Sequence, residues 1–200
     1  MLFPHIQIVL PDWVAAFCDS WQHGFKRVED RAAFVVALSR QQVQEGTGGP
    51  FAAAVFDPGN GTLVAPGVNM VVPASCSPAH AEIVAVMIAQ QVMGTHDLGA
   101  ASLPALELVS STEPCAMCMG AVPWSGVRCL VCCARGEDAE AIGMDEGEKP
   151  ADWIALFEKR GIHVERDVCR EAAAAVLQDY AAHGGLIYNG RSGVASGGEA

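Results

Sequence analysis

The sequence predicts an α/β protein, and three observations carry that expectation. Residues 51–56 and, after Arg128, 129–134 are apolar at consecutive positions, as strands buried on both faces read. Longer amphipathic or alanine-rich stretches with helix start and stop residues alternate with these runs. A helical stretch also separates the last two strand-like runs, which makes a parallel crossover more natural than a hairpin.

Taken in order, residues 1–11 read as irregular or extended. Residues 12–22, with Trp13, Val14, Phe17 and Trp21 at helical spacing, read as a short amphipathic helix, a packing or dimer element. A longer helix is expected over 29–45, using Phe34, Val35 and Leu38 and stopped by Gly46. The turn Gly48-Gly49-Pro50-Phe51 leads into the first strand, and the loop at 57–61 returns the chain through a second strand over 62–70, with Asn69 at its end. After a loop at 71–79 a helix runs to about Met93 and is closed by Gly94. A strand over 105–111 delivers a helix that ends near Gly126, and a buried strand follows over 128–134. Residues 136–144 and an acidic loop precede a helix over 151–160, a last strand over 162–166 and an alanine-rich helix over 170–182. Residues 186–189 form a short apolar-aromatic segment before a glycine- and serine-rich tail, 190–200, read as disordered.

At 200 residues and 51% hydrophobic content the chain can bury the core of one domain. Its 23 acidic against 12 basic side chains give a net charge of -11, which repels a phosphate backbone and disfavours tRNA or DNA as partner. Eight cysteines without a small disulfide framework suit a reduced, cytoplasmic setting. The first 21 residues carry Pro4, Pro11 and Asp12, with no basic start and no long apolar run, so neither a signal peptide nor a membrane partner is expected.

Chemistry concentrates in Ala79-His80-Ala81-Glu82 and Glu113-Pro114-Cys115-Ala116-Met117-Cys118. On a helix Cys115 and Cys118 project from one face, and Pro114 suits the first helical position with Thr112 or Glu113 as cap. The positive end of the helix then favours thiolates, which zinc requires. His80 supplies a third ligand and leaves a fourth tetrahedral position open, the arrangement of catalytic zinc; a closed structural site would need Cys76 or Cys133 nearby. Glu82 reads either as a carboxylate at a helix N-terminus or as a proton carrier beside the metal. Cys129 and Cys132 lie in a strand-like run, where residues three apart point to opposite faces and cannot share an ion.

Together and in this order, the two stretches resemble the zinc-dependent cytidine/deoxycytidylate deaminase superfamily, whose signature is H-x-E…P-C-x-x-C. The resemblance implies a three-layer α/β/α sandwich with a five-stranded mixed sheet in which strands 4 and 5 are parallel. Within the superfamily, stretches 49–53, 79–82, 113–124 and 139–146 resemble bacterial guanine deaminases in order and spacing. That likeness implies one catalytic Zn2+ held by His80, Cys115 and Cys118, with Glu82 as proton shuttle and Glu146 as a second functional carboxylate where the family usually has aspartate. It places Asn69 on the base, Phe51, Ala81 and Trp124 around a planar ring, and Tyr188 over the pocket.

The implied reaction is hydrolytic deamination of a free nucleobase, guanine to xanthine plus ammonia, with guanine-like aminotriazines as side substrates. A homodimer is implied too, with a C-terminal segment able to cap the partner's pocket. The catalytic domain is then 28–189, behind an extension at 1–27. Deamination of a tRNA wobble adenosine, of cytosine or a nucleoside, and a non-catalytic zinc-stapled binding protein are the alternatives.

Overall fold

In the computed structural model, which describes residues 5–190, the first element is helix α1, Asp12–Ser20. It packs into the core: Val14 is buried, and the Phe17 ring lies 5.6 Å from that of Phe34 in helix α2, Val28–Glu45. Gly46 ends α2 in a left-handed conformation, φ 63°, as a helix-stopping glycine does. Arg31 of α2 forms a buried pair with Glu107 and also donates to the carbonyls of Phe25 and Lys26, so no charge is left unmatched.

Strands β1, Ala52–Asp57, and β2, Thr62–Val68, form a hairpin with a bulge between Val55 and Phe56. β2 is an edge strand, where Pro66 is tolerated. Helix α3, Ala81–Met93, lies directly on this hairpin because Gly67 has no side chain: a Cβ there would sit 2.5 Å from the Ala85 amide nitrogen. The chain continues through β3, Glu107–Thr112, α4, Ala116–Ser125, β4, Cys129–Ala134, α5, Gly136–Glu140, α6, Trp153–Lys159, β5, His163–Glu165, and α7, Arg170–Ala182.

The sheet order is β2-β1-β3-β4-β5, with β1 antiparallel to both neighbours and β3, β4 and β5 parallel. This is the expected five-stranded mixed sheet with its last two strands parallel. Alternation along each strand feeds two cores. Ala52, Ala54, Phe56, Val109, Val131 and Cys133 join residues of α2 and α7, while Ala53, Val55, Leu108, Leu130 and Cys132 join residues of α3, α4 and α6. Three layers result. Cys129 packs against the first core and Cys132 lies in the second, so that pair is split across the sheet.

Several boundaries differ from expectation. β2 ends at Val68, because the Phe51 amide turns to the Gly49 carbonyl at 2.8 Å and leaves the Asn69 carbonyl without its ladder partner. Residues 136–140 form a short helix whose start is capped by Asp138, which accepts from the Arg135 amide at 2.8 Å. None of the described helices is long and apolar enough to cross a membrane. The tail beyond Gly190 lies outside the described residues.

Candidate active site

The site forms at the carboxyl end of β3, where sheets of this type place their sites. The Glu113 amide bonds to the Ala134 carbonyl at 2.9 Å, carrying the strand pairing one residue past β3. Glu113 itself is buried, accepting from Arg166 and from the Gly136 amide. The first bond of α4 runs from the Met119 amide to the Cys115 carbonyl, so Cys115 is the N-cap and the helix starts at Ala116, two positions beyond the Pro114 start expected. The exposed first amide of the helix, Ala116, is taken by the Glu146 carbonyl at 2.9 Å, which ties the acidic loop to the site. His80 is the N-cap of α3, which puts both ligand-bearing stretches at helix starts.

The ligand atoms of His80, Cys115 and Cys118 all lie within 4.8 Å of one another, and among the described residues they are the one such group. His80 Nδ1 is 3.5 Å from Cys115 Sγ, and a tetrahedral zinc with ordinary bond lengths holds such a pair about 3.6 Å apart. The donor set fits zinc with a fourth position open. Its electrostatics agree. Hydrogen bonding from Cys118, against burial and with help from His80, pushes the Cys115 thiol down to about 4. Cys118 is pushed far up, first by Cys115 and then by burial, as when one proton is shared by two crowded sulfurs. Burial lowers His80, but its bond to Cys115 and the charge of Glu82 outweigh that and raise it. Three donors held this close want one cation between them.

Beside them opens a cavity of about 360 Å³ whose walls include Phe51, Asn69, Glu82, Thr112, Glu146 and Tyr188. Glu82, in the first turn of α3, is 7% exposed, and burial followed by the Cys115 charge raises its carboxyl, making it a stronger base. Glu146 is equally buried, and Lys149 donates to its Oε2 at 3.2 Å. Burial pushes Glu146 up to about 7 against the pull of Lys149.

Three polar atoms buried in this wall have no partner among the described residues: Asn69 Nδ2, Thr112 Oγ1 and Tyr188 Oη. Buried polar atoms are otherwise nearly always paired, so all three wait on a ligand or water. Tyr188 packs its ring on Gly49, where a Cβ would fall 2.7 Å from Cε1. Asn189 follows it and fastens the segment to the acidic loop, accepting from the Asp145 amide and donating to the Gly143 carbonyl. The C-terminal segment thus covers the cavity of its own chain.

Two residues expected around the ring are elsewhere. Ala81 is fully buried in the core against the sheet and does not line the cavity. Trp124 is 81% exposed in the last turn of α4, beside a separate groove with Trp153 and Leu156. At 1.5 Å per residue the helix carries it roughly 13 Å from Cys115. Lys149 was not singled out in the sequence, and Thr112 only as a candidate helix cap. Neither carries a motif signal: one is the last residue of a strand, the other a lysine in an acidic loop.

Residues 28–134 match the family model of the cytidine and deoxycytidylate deaminase zinc-binding region. The chain belongs to this deaminase family. It is a hydrolytic deaminase with zinc as cofactor, and its likeness to guanine deaminases is the nearer one within the superfamily. The guanine deaminase of Bacillus subtilis is 33% identical over 123 residues, 58% of this deaminase and 74% of that protein. A structure solved with 2,6-diaminopurine bound has 49% sequence identity and a TM-score of 0.85, covering 92% of this deaminase and 97% of that chain. The guanine deaminase structure from Nitrosomonas europaea has 48% identity and a TM-score of 0.83, with 90% and 97% covered.

Proposed function

We propose that this deaminase converts guanine to xanthine and ammonia. The observation that carries the reading is the partnerless Asn69 Nδ2 in one cavity with the Glu146 carboxylate. Asn69 Oδ1 accepts from the Val71 amide at 3.3 Å, so the amide offers its donor to a ligand. Guanine presents ring-nitrogen acceptors to such a donor, and its N1–H and 2-amino group to a carboxylate. Adenine and cytosine place an acceptor beside their amino group, which a carboxylate repels. The relatives support the same edge: two are guanine deaminases, and 2,6-diaminopurine shares guanine's 2-amino group.

Zinc held by His80, Cys115 and Cys118 supplies Lewis acidity that brings the pKa of water from about 16 toward about 7. Glu82 accepts a proton from the attacking water and returns it to the ring nitrogen beside the amino-bearing carbon, preparing the loss of ammonia. Glu146 holds the N–H edge and Asn69 the opposite side, which orients that carbon toward the metal donors. Phe51 and Tyr188 enclose the planar ring, and Thr112 Oγ1 adds a further hydrogen-bonding group.

Aminotriazines with a guanine-like edge are side substrates on the same logic. Ammonia release measured across guanine, adenine, cytosine and an aminotriazine tests the assignment; strong activity on adenine with none on guanine overturns it. The reading includes a catalytic domain over 28–189 and a cytoplasmic homodimer. Trp124, Met117 and Leu156 are the exposed apolar side chains that support self-association, and eight free cysteines suit a reducing compartment.

A further inference from the structure

A line of hydrogen bonds joins α1 to the cavity wall. Trp13 Nε1 donates to Thr47 Oγ1 at 3.0 Å, the Thr47 hydroxyl donates to Gln42 Oε1 at 2.8 Å, and Gln42 Nε2 donates to the Asn69 carbonyl at 2.9 Å. All three bonds point the same way, so each polarises the next. Gln42 is fully buried, and Gly48 leaves the room in which its amide meets Asn69; a Cβ at Gly48 would collide with both.

Asn69 lies just past the end of β2, where its carbonyl has no ladder partner and a buried carbonyl needs one. Gln42 is that partner. The Asn69 amide is held by the Phe51 carbonyl and its Oδ1 by the Val71 amide. Peptide and side chain are therefore fixed at three points, and only Nδ2 remains for a ligand.

We propose that Trp13, Thr47 and Gln42 are positioning residues for the base: α1, through this relay, sets the aim of Asn69 Nδ2, so the N-terminal segment takes part in recognising a purine-type base. The inference rests on the reading of Asn69 as a residue that binds the base. It gives Trp13, ahead of the zinc-binding region, a role in affinity without contact to substrate or metal.

The test uses the zinc-loaded full chain with Thr47→Val, Trp13→Phe, Asn69→Ala and the Thr47→Val/Asn69→Ala double variant. Guanine kinetics, the dissociation constant of 2,6-diaminopurine, zinc content and thermal midpoint are read for each. Thr47→Val keeps the shape and removes two of the bonds, while Trp13→Phe removes the N–H and keeps a smaller aromatic ring beside Phe17. Each weakens the analogue and raises KM roughly threefold to tenfold, with kcat within about twofold and zinc content unchanged. In the Asn69→Ala background Thr47→Val then has no further effect on analogue affinity, which a merely structural contribution to stability does not produce. Loss of thermal midpoint alone, or a Thr47→Val effect of the same size without Asn69, overturns the relay. Asn69→Ala that leaves analogue affinity unchanged overturns the base-binding reading and the relay with it. Asn69→Ala that weakens the analogue while Thr47→Val and Trp13→Phe do not overturns the relay alone.

Discussion

Glu146 stands in the acid-rich run Asp145-Glu146-Gly147-Glu148, whose composition alone reads as a solvated loop. It is instead buried, because its carbonyl caps α4 at Ala116 and its carboxylate meets Lys149. With burial pushing the group up to about 7, acid converts it from an acceptor to a neutral carboxyl that no longer matches two N–H donors. The kcat/KM for guanine therefore falls as pH drops through about 7. Lys149→Met removes the opposing positive charge and moves that limb to higher pH. Superimposable acid limbs in the two pH–rate profiles contradict the assignment. At this scale the metal donors were legible, because i, i+3 cysteines beside a helix start and a histidine two residues from a glutamate are local patterns. Trp124, Ala81 and Lys149 depend on which way a side chain faces in the assembled fold, and no spacing encodes that.

Among the elements, α3 is placed by Gly67, and α3 in turn places His80 and Glu82. Gly67→Ala drives a methyl into the α3 backbone and lowers stability by about 1–3 kcal/mol, with faster zinc loss to a chelator. Denaturant unfolding and chelator kinetics check this, and a wild-type midpoint argues against the packing account.

The clasp between α5 and α7 makes a second prediction. Arg170 holds the Asp138 carboxyl below the usual range against desolvation, aided by the Arg135 amide. A depressed carboxyl contributes stability at pH above about 3.9 that is lost as pH falls through the folded value. Arg170→Met removes the clasp and shifts the acid unfolding midpoint upward; an unchanged midpoint contradicts it. The long periodic elements and the strands buried on both faces could be read from sequence. Of the short ones, β5 was expected to within a residue at each end, but α5 could not be read, because it depends on a cap by Asp138. The relay from α1 was also invisible, since it joins residues 13, 47, 42 and 69, which share no period.

For the molecule as a whole, the parallel final pair of strands followed from one intervening helix, and the order β2-β1-β3-β4-β5 set the zinc donors at the carboxyl end of β3. The apolar surface around Trp124 belongs to the proposed homodimer. Trp124→Glu, far from the metal donors, shifts the mass measured by light scattering from dimer to monomer while zinc content holds; a monomeric parent protein contradicts that assembly.

The central claim is that the three donors, Glu82 and the guanine-shaped cavity form one catalytic site. Ammonia release from guanine by the zinc-loaded protein, beside its Glu82→Gln variant, tests it most directly. The account predicts turnover on guanine and a loss of roughly 10²–10⁴-fold in kcat in the variant, with zinc still bound. Turnover that survives Glu82→Gln, or no ammonia from guanine by the zinc-loaded protein, contradicts it.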